Sequence, residues 1–224
     1  MGETIKLKAK DGFELGAYVA KPAGTPKGAI VDIQEIFGVN QHMRADTDKY
    51  AEAGYLAISP QLYDRVERNV ELGYTGDEPK KGMEIRAKTE MDKVLMDIQA
   101  AIDHVKGAGK VGVVGYCWGG TLVFASAVNL PDVSAAVAYY GGGIPDMADQ
   151  KPKAPTMMHF GDQDHGIPME KVKVVQDKRG GDCEIHVYEG AGHGFNCDER
   201  ASWNEPAATL ARKRSHEFFA KHLG

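Results

Sequence analysis

The chain has 224 residues, 42% hydrophobic and 26% charged, with a formal net charge of −5. This is an ordinary globular composition, and its mild acidity argues against nucleic acid as a main partner. No apolar run approaches the ~20 residues that span a bilayer, and the start MGETIKLKAKDGFELG lacks the apolar centre of a signal peptide, so a cytoplasmic protein off the membrane is expected.

The segments TIKLKAK and FELGAYVA read as two strands, with the turn pair Asp11-Gly12 between them. A Pro- and Gly-rich loop, Lys21 to Gly28, leads into AIVDI, a buried strand. Residues 41–53 can form a helix with Met43, Tyr50 and Ala51 inward, and YLAIS is a further strand ended by Pro60. The polar stretch 61–81 carries the breakers Gly73, Gly76 and Pro79; a connection of this length is expected to be a lid or binding loop. A helix is expected from about Met83 to Lys106, with Ile85, Met91, Leu95, Ile98 and Ile102 at helical spacing. Then follow strand KVGVVGY, helix TLVFASAV, strands SAAVAYYG and APTMMHFG, a helix over 169–178 and strand CEIHVYEG. The last helix has Pro206 near its start and places Leu210, Phe218 and Phe219 inward. Strands alternating with helices from residue 28 onward predict one α/β domain over 1–224, a mostly parallel central sheet with helices on both faces.

Of three cysteines, Cys117 stands out, because GYCWGG fits the nucleophile-elbow pattern G-x-C-x-G between a strand and a helix. Flanking glycines permit the sharp turn, and the sulfur is expected at a helix N-terminus, where the free N–H groups favour an anion. Cys183, in a strand-like run, reads as a small buried hydrophobe. A nucleophile needs a base, and His193 in EGAGHGF follows the last strand, the chain order nucleophile, acid, histidine. The acid belongs after the preceding strand, where HFGDQDHGIP offers both Asp162 and Asp164. The oxyanion would be held by the N–H groups of Trp118 and of Ile36, in the loop QEIFG. No histidine pair has metal-binding spacing, and neither a metal nor a cofactor is called for.

Taken together, QEIFGVN, VGYCWGG, GDQDHGIP and AGHGF occur in the order found in the dienelactone hydrolase family (carboxymethylenebutenolidases), and the chain resembles that family over roughly residues 28–222. The resemblance implies an α/β-hydrolase fold. It implies Cys117 as nucleophile, His193 as base, and Asp164 rather than Asp162 as acid. It also implies that Glu35 contacts the resting thiol and opposes its ionisation until substrate arrives. Family members hold a substrate carboxylate with two arginines. Here Cys197 stands where the one after the histidine is expected, with Arg200 nearby but out of register; for the other, Lys80, Lys81 and Arg86 are the candidates. Lys81, Arg86, Phe37 and Phe195 are thus the expected substrate-binding residues.

Three functions compete: a Cys-His-Asp hydrolase opening a small lactone or ester through an acyl-enzyme, a broader carboxylesterase or thioesterase on small neutral esters, and a non-catalytic binding protein on a hydrolase shell. The complete set of triad candidates favours the enzymes.

Overall fold

The structure is a computed structural model and describes residues 2–224. Its strands are β1 (Glu3–Lys8), β2 (Glu14–Ala20), β3 (Ala29–Ile33), β4 (Leu56–Pro60), β5 (Val111–Tyr116), β6 (Val133–Tyr139), β7 (Thr156–Gly161) and β8 (Glu184–Tyr188). They form one sheet in the order β1-β2-β4-β3-β5-β6-β7-β8. The β1–β2 hairpin is antiparallel, and so is the pairing of β2 with β4; every later pair is parallel. The central strands β3, β5, β6 and β7 are almost wholly buried, as parallel strands covered on both sides must be.

The helices are α1 (Gln41–Glu52), α2 (Glu78–Arg86), α3 (Met91–Val105), α4 (Trp118–Asn129), α5 (Ile144–Met147), α6 (Met169–Arg179) and α7 (Glu205–Leu223). Helices α1 and α7 meet through Tyr50 and Phe219, whose ring centroids lie 6.1 Å apart, and through Arg212, which pairs with buried Asp46 at 2.7 Å. The opposite face of the sheet carries α4. Gly112 of β5 sits against Phe219 and Leu223 of α7, whereas Gly115, three residues on and so on the other face, sits against Gly119 of α4. Asn40 caps α1 by accepting from Met43 N–H at 3.1 Å, and Asn204 caps α7 by accepting from Ala207 N–H at 3.2 Å, with Pro206 in the first turn.

From β3 the chain steps to β4 on one side, and β5 then lies on the other. This reversal opens a crevice beyond the C-terminal ends of β3 and β5, where ligands bind in open α/β sheets. The loop QEIFG leaves β3 there, and Cys117 leaves β5 there.

Four details differ from the sequence reading. The single helix expected over 83–106 is two, α2 and α3, separated by residues 87–90. Thr89 Oγ1 donates to the Arg86 carbonyl at 2.7 Å, and Glu90 is extended, so the chain changes direction there. Helix α2 also starts earlier, at Glu78, because Pro79 falls in its first turn, where proline costs no hydrogen bond. Leu210 is exposed, since Ala207, Ala211, Ser215 and Phe218 form the buried stripe of α7 and Leu210 lies off it. Met91, expected inward, is exposed too.

Residues 61–81 form a strap bound to the loop after β3. Leu72 N–H donates to the Phe37 carbonyl at 2.8 Å, Leu62 N–H donates to Gln34 Oε1 at 3.2 Å, and Leu62, Tyr63, Val70 and Leu72 are buried.

Candidate active site

Cys117 has φ 56° and ψ −115°, a left-handed conformation rare for a residue with a side chain. The turn closes because Gly119 lies directly on the backbone of β3: a Cβ there would strike the carbonyl oxygens of Ile33 and Gln34. Cys117 N–H donates to the Tyr139 carbonyl at 3.0 Å, which pins the elbow to β6. The thiol is half-buried at the N-terminus of α4.

His193 stands beside it. Its Nδ1 lies 2.7 Å from Asp164 Oδ2, and Cys117 lines the same cavity beside it. Asp164 is buried, and its Oδ1 accepts from the N–H groups of Gly166 at 2.9 Å and Ile167 at 3.1 Å, so one oxygen anchors the loop while the other orients the imidazole. Asp162 is a loop residue instead, accepting from Gly190 N–H at 2.8 Å. Tyr140 packs edge-on against the His193 ring at 5.1 Å. Burial alone would lower the His193 pKa, but the hydrogen bond to Asp164 and the neighbouring Cys117 sulfur outweigh it and hold the imidazole up at about 10.

The two candidate oxyanion donors are the N–H groups of Ile36, in the loop after β3, and of Trp118, next to Cys117. Among the described residues, neither the Ile36 nor the Trp118 N–H donates to a backbone carbonyl or a side chain. Their loops are clamped together by Tyr63: its ring stacks on Trp118 at 5.2 Å, and its hydroxyl donates to the carbonyls of Ile36 and Gly82, each at 3.2 Å.

Glu35 departs from expectation. Its Oε1 accepts from Arg200 Nη1 at 2.9 Å, and its Oε2 is buried without a hydrogen-bond partner, so the expected bond to the resting thiol is not made. Arg200, out of register by sequence counting, reaches Glu35 because residues 194–204 fold into successive turns, with Cys197 N–H bonding to Gly194, Arg200 N–H to Cys197 and Asn204 N–H to Phe195. The guanidinium crosses directly over Gly194, which leaves no room for a side chain there. The signal that could have found Arg200 is electrostatic: a buried carboxylate on the loop after β3 needs a cation, and the segment after His193 holds one arginine.

A cavity of about 410 Å³ opens over the sulfur, lined by Cys117, His193, Trp118, Met83, Arg86 and Ile167 among others. Of the expected substrate-binding residues only Arg86 lines it. Lys81 pairs on the surface with Glu67 at 2.7 Å. Phe195 is fully buried among Tyr139, Tyr140 and Tyr188, and Phe37 is buried edge-on to Tyr74, so both rings serve packing behind the site.

The raised imidazole sets a pH dependence. A histidine whose folded pKa exceeds its unfolded value gives stability that is fully present below pH 6.5 and lost as pH rises through about 10. The melting-temperature advantage of the native chain over His193→Gln should shrink across that window; an advantage that grows with pH contradicts the assignment.

The profile of the Dienelactone hydrolase family matches residues 15–223. Carboxymethylenebutenolidases of Pseudomonas putida and Pseudomonas knackmussii are each 34% identical over 227 residues, covering 97% of this chain and 96% of theirs. A solved structure from Klebsiella pneumoniae, provisionally described as a dienelactone hydrolase, is 30% identical with TM-score 0.88, covering 99% of this chain and all of its own. The Pyrococcus furiosus esterase Pf2001, 14% identical with TM-score 0.72, shares the fold across 100% of this chain and 93% of its own. With a profile match over residues 15–223, relatives at this identity, and the elbow, histidine loop and aspartate loop converging at one crevice, this chain belongs to the dienelactone hydrolase family.

Proposed function

We propose that this protein hydrolyses a lactone or small carboxylic ester through an acyl-enzyme on Cys117. The observation that carries the reading is the chain of contacts from Cys117 to His193 to Asp164 at the cavity floor. The sulfur attacks the substrate carbonyl, and the developing oxyanion is received by the Ile36 and Trp118 N–H groups. His193, resting protonated, gives its proton to the departing oxygen, which in a lactone stays tethered to the acyl chain. It then takes a proton from water, which attacks the thioester, releases the acid and leaves the sulfur as thiolate beside the protonated imidazole, the resting pair. Arg86 would face a carboxylate on the substrate. Glu35 and Arg200 would fix the loop that carries the Ile36 donor.

The Glu35–Arg200 pair also favours a broader reading, a carboxylesterase acting on neutral esters. Arg200 already serves a protein carboxylate, which leaves Arg86 as the single arginine lining the cavity.

Intact-mass spectrometry after a brief ester pulse tests the mechanism. The expected result is one acyl adduct in the native chain and none in Cys117→Ala. An adduct that survives in Cys117→Ala, or turnover by that variant at the native rate, removes Cys117 from the mechanism. Comparing a dienelactone with a short neutral aryl ester then separates the two substrate ranges.

A further inference from the structure

Beside the catalytic cavity lies a second one of about 370 Å³, lined by Met83, Arg86, Ala87, Thr89, Met91, Val94, Trp118 and Leu122. Met83, Arg86 and Trp118 line both, so the two are lobes of one groove that share a wall. The second lobe lies where α2 ends and α3 begins, the break at residues 87–90 forming its rim. Its walls are chiefly hydrocarbon and thioether. Met83 and Met91 are 49% and 40% exposed, two of the six large hydrophobic side chains open to water among the described residues. Their placement together at one mouth is what an apolar ligand would use, and methionine's flexible side chain suits a ligand of variable shape.

Resting on the reading of Cys117 as an esterase nucleophile, we infer that the second lobe receives an apolar arm of the substrate, so that the preferred substrates are esters carrying a medium-length hydrocarbon chain. Continuity decides the occupant. A group bound in the second lobe reaches the sulfur by passing Trp118 and Arg86, which a chain attached to the reacting carboxyl can do and a separate molecule need not. Trp118 forms the partition, with its N–H beside the reacting carbonyl and its ring fixed against Tyr63. The lobe thus measures the arm from a rigid surface. Arg86 at the seam lies beside the arm near the carboxyl end and leaves the deeper hydrocarbon part to Val94 and Leu122.

The test is a chain-length series on the native chain, run once with p-nitrophenyl acyl esters from acetate to octanoate and once with alkyl acetates. Burying a methylene is worth roughly a fourfold preference when complete and about twofold when half-complete. In one series or the other, kcat/KM should therefore rise about two- to fourfold per methylene. Ala87→Phe, which fills the lobe from an exposed position at the end of α2, should abolish the rise and leave acetate turnover unchanged; Met91→Glu should lower the rate for the long chains alone. Acetate turned over with both series flat overturns the inference and leaves the esterase reading standing. Should no ester be turned over at all, the esterase reading falls, and calorimetric titration of Cys117→Ala decides the inference separately. Octanoate binding at least about tenfold tighter than butyrate, with the difference lost on adding Ala87→Phe, supports it; equal binding overturns it.

Discussion

Asp164→Asn is expected to lower kcat by about 10⁴-fold with little change in KM or in folding, the scale of loss when a triad carboxylate becomes an amide. The substitution is isosteric. Its oxygen can still accept from the Gly166 and Ile167 N–H groups, as Asp164 Oδ1 does now, so the loop retains its anchor. What fails is the other side: an amide N–H facing His193 Nδ1 turns that nitrogen into an acceptor and moves the ring proton to Nε2. The face toward Cys117 then presents a proton and can no longer receive one. Asp162→Asn is the matched control. Asp162 touches only the loop, through Gly190 N–H, a bond that asparagine keeps. Steady-state kinetics on the two variants decide the matter: an Asp164→Asn enzyme within tenfold of native activity, or an Asp162→Asn enzyme as impaired as it, would remove Asp164 from the triad.

The second large effect is on stability. Arg200→Met leaves the Glu35 carboxylate, its side chain 3% exposed, with no partner for either oxygen. Removing one member of a buried ion pair costs about 3–5 kcal/mol. For a chain of this size that is a fall in melting temperature on the order of 10 °C. The double variant Glu35→Gln/Arg200→Met removes the stranded charge and should recover most of the loss, a non-additivity characteristic of groups in contact. Activity should not recover in step, because the residue beside Ile36 would no longer be held. Thermal denaturation of the single and double variants measures this, and an Arg200→Met chain melting within a degree of native would show that the pair is not what fixes this loop.

The parts of the site that were legible in the sequence are those written in local chain geometry. A glycine-flanked cysteine between an apolar strand and a helix has few ways to fold, and Cys117 stands at the elbow that G-x-C-x-G predicts. His193 and the aspartate loop follow from chain order, since a parallel sheet brings the ends of successive strands to one edge. The choice between Asp162 and Asp164 was not open to spacing, because both lie in the same loop and the two differ only in which way that loop turns. Arg200 was hidden for a similar reason. Its distance from His193 along the chain says nothing of the two successive turns that fold it back over Gly194. The expected long helix over 83–106 fails at residues 87–90, where propensity alone would continue it; there a side-chain bond from Thr89 to the Arg86 carbonyl competes with the helical pattern.

The backbone at Cys117 has a bearing on how the chain would change over generations. A residue with a side chain held at φ 56° costs of order 1–3 kcal/mol, and glycine removes most of that cost. The fold by itself therefore prefers glycine at this position, and the proposed use of the sulfur as nucleophile would oppose that drift. In a copy of the gene released from selection for its chemistry, position 117 is where folding and function first part company, and the identity of that one residue would record whether the copy is still at work.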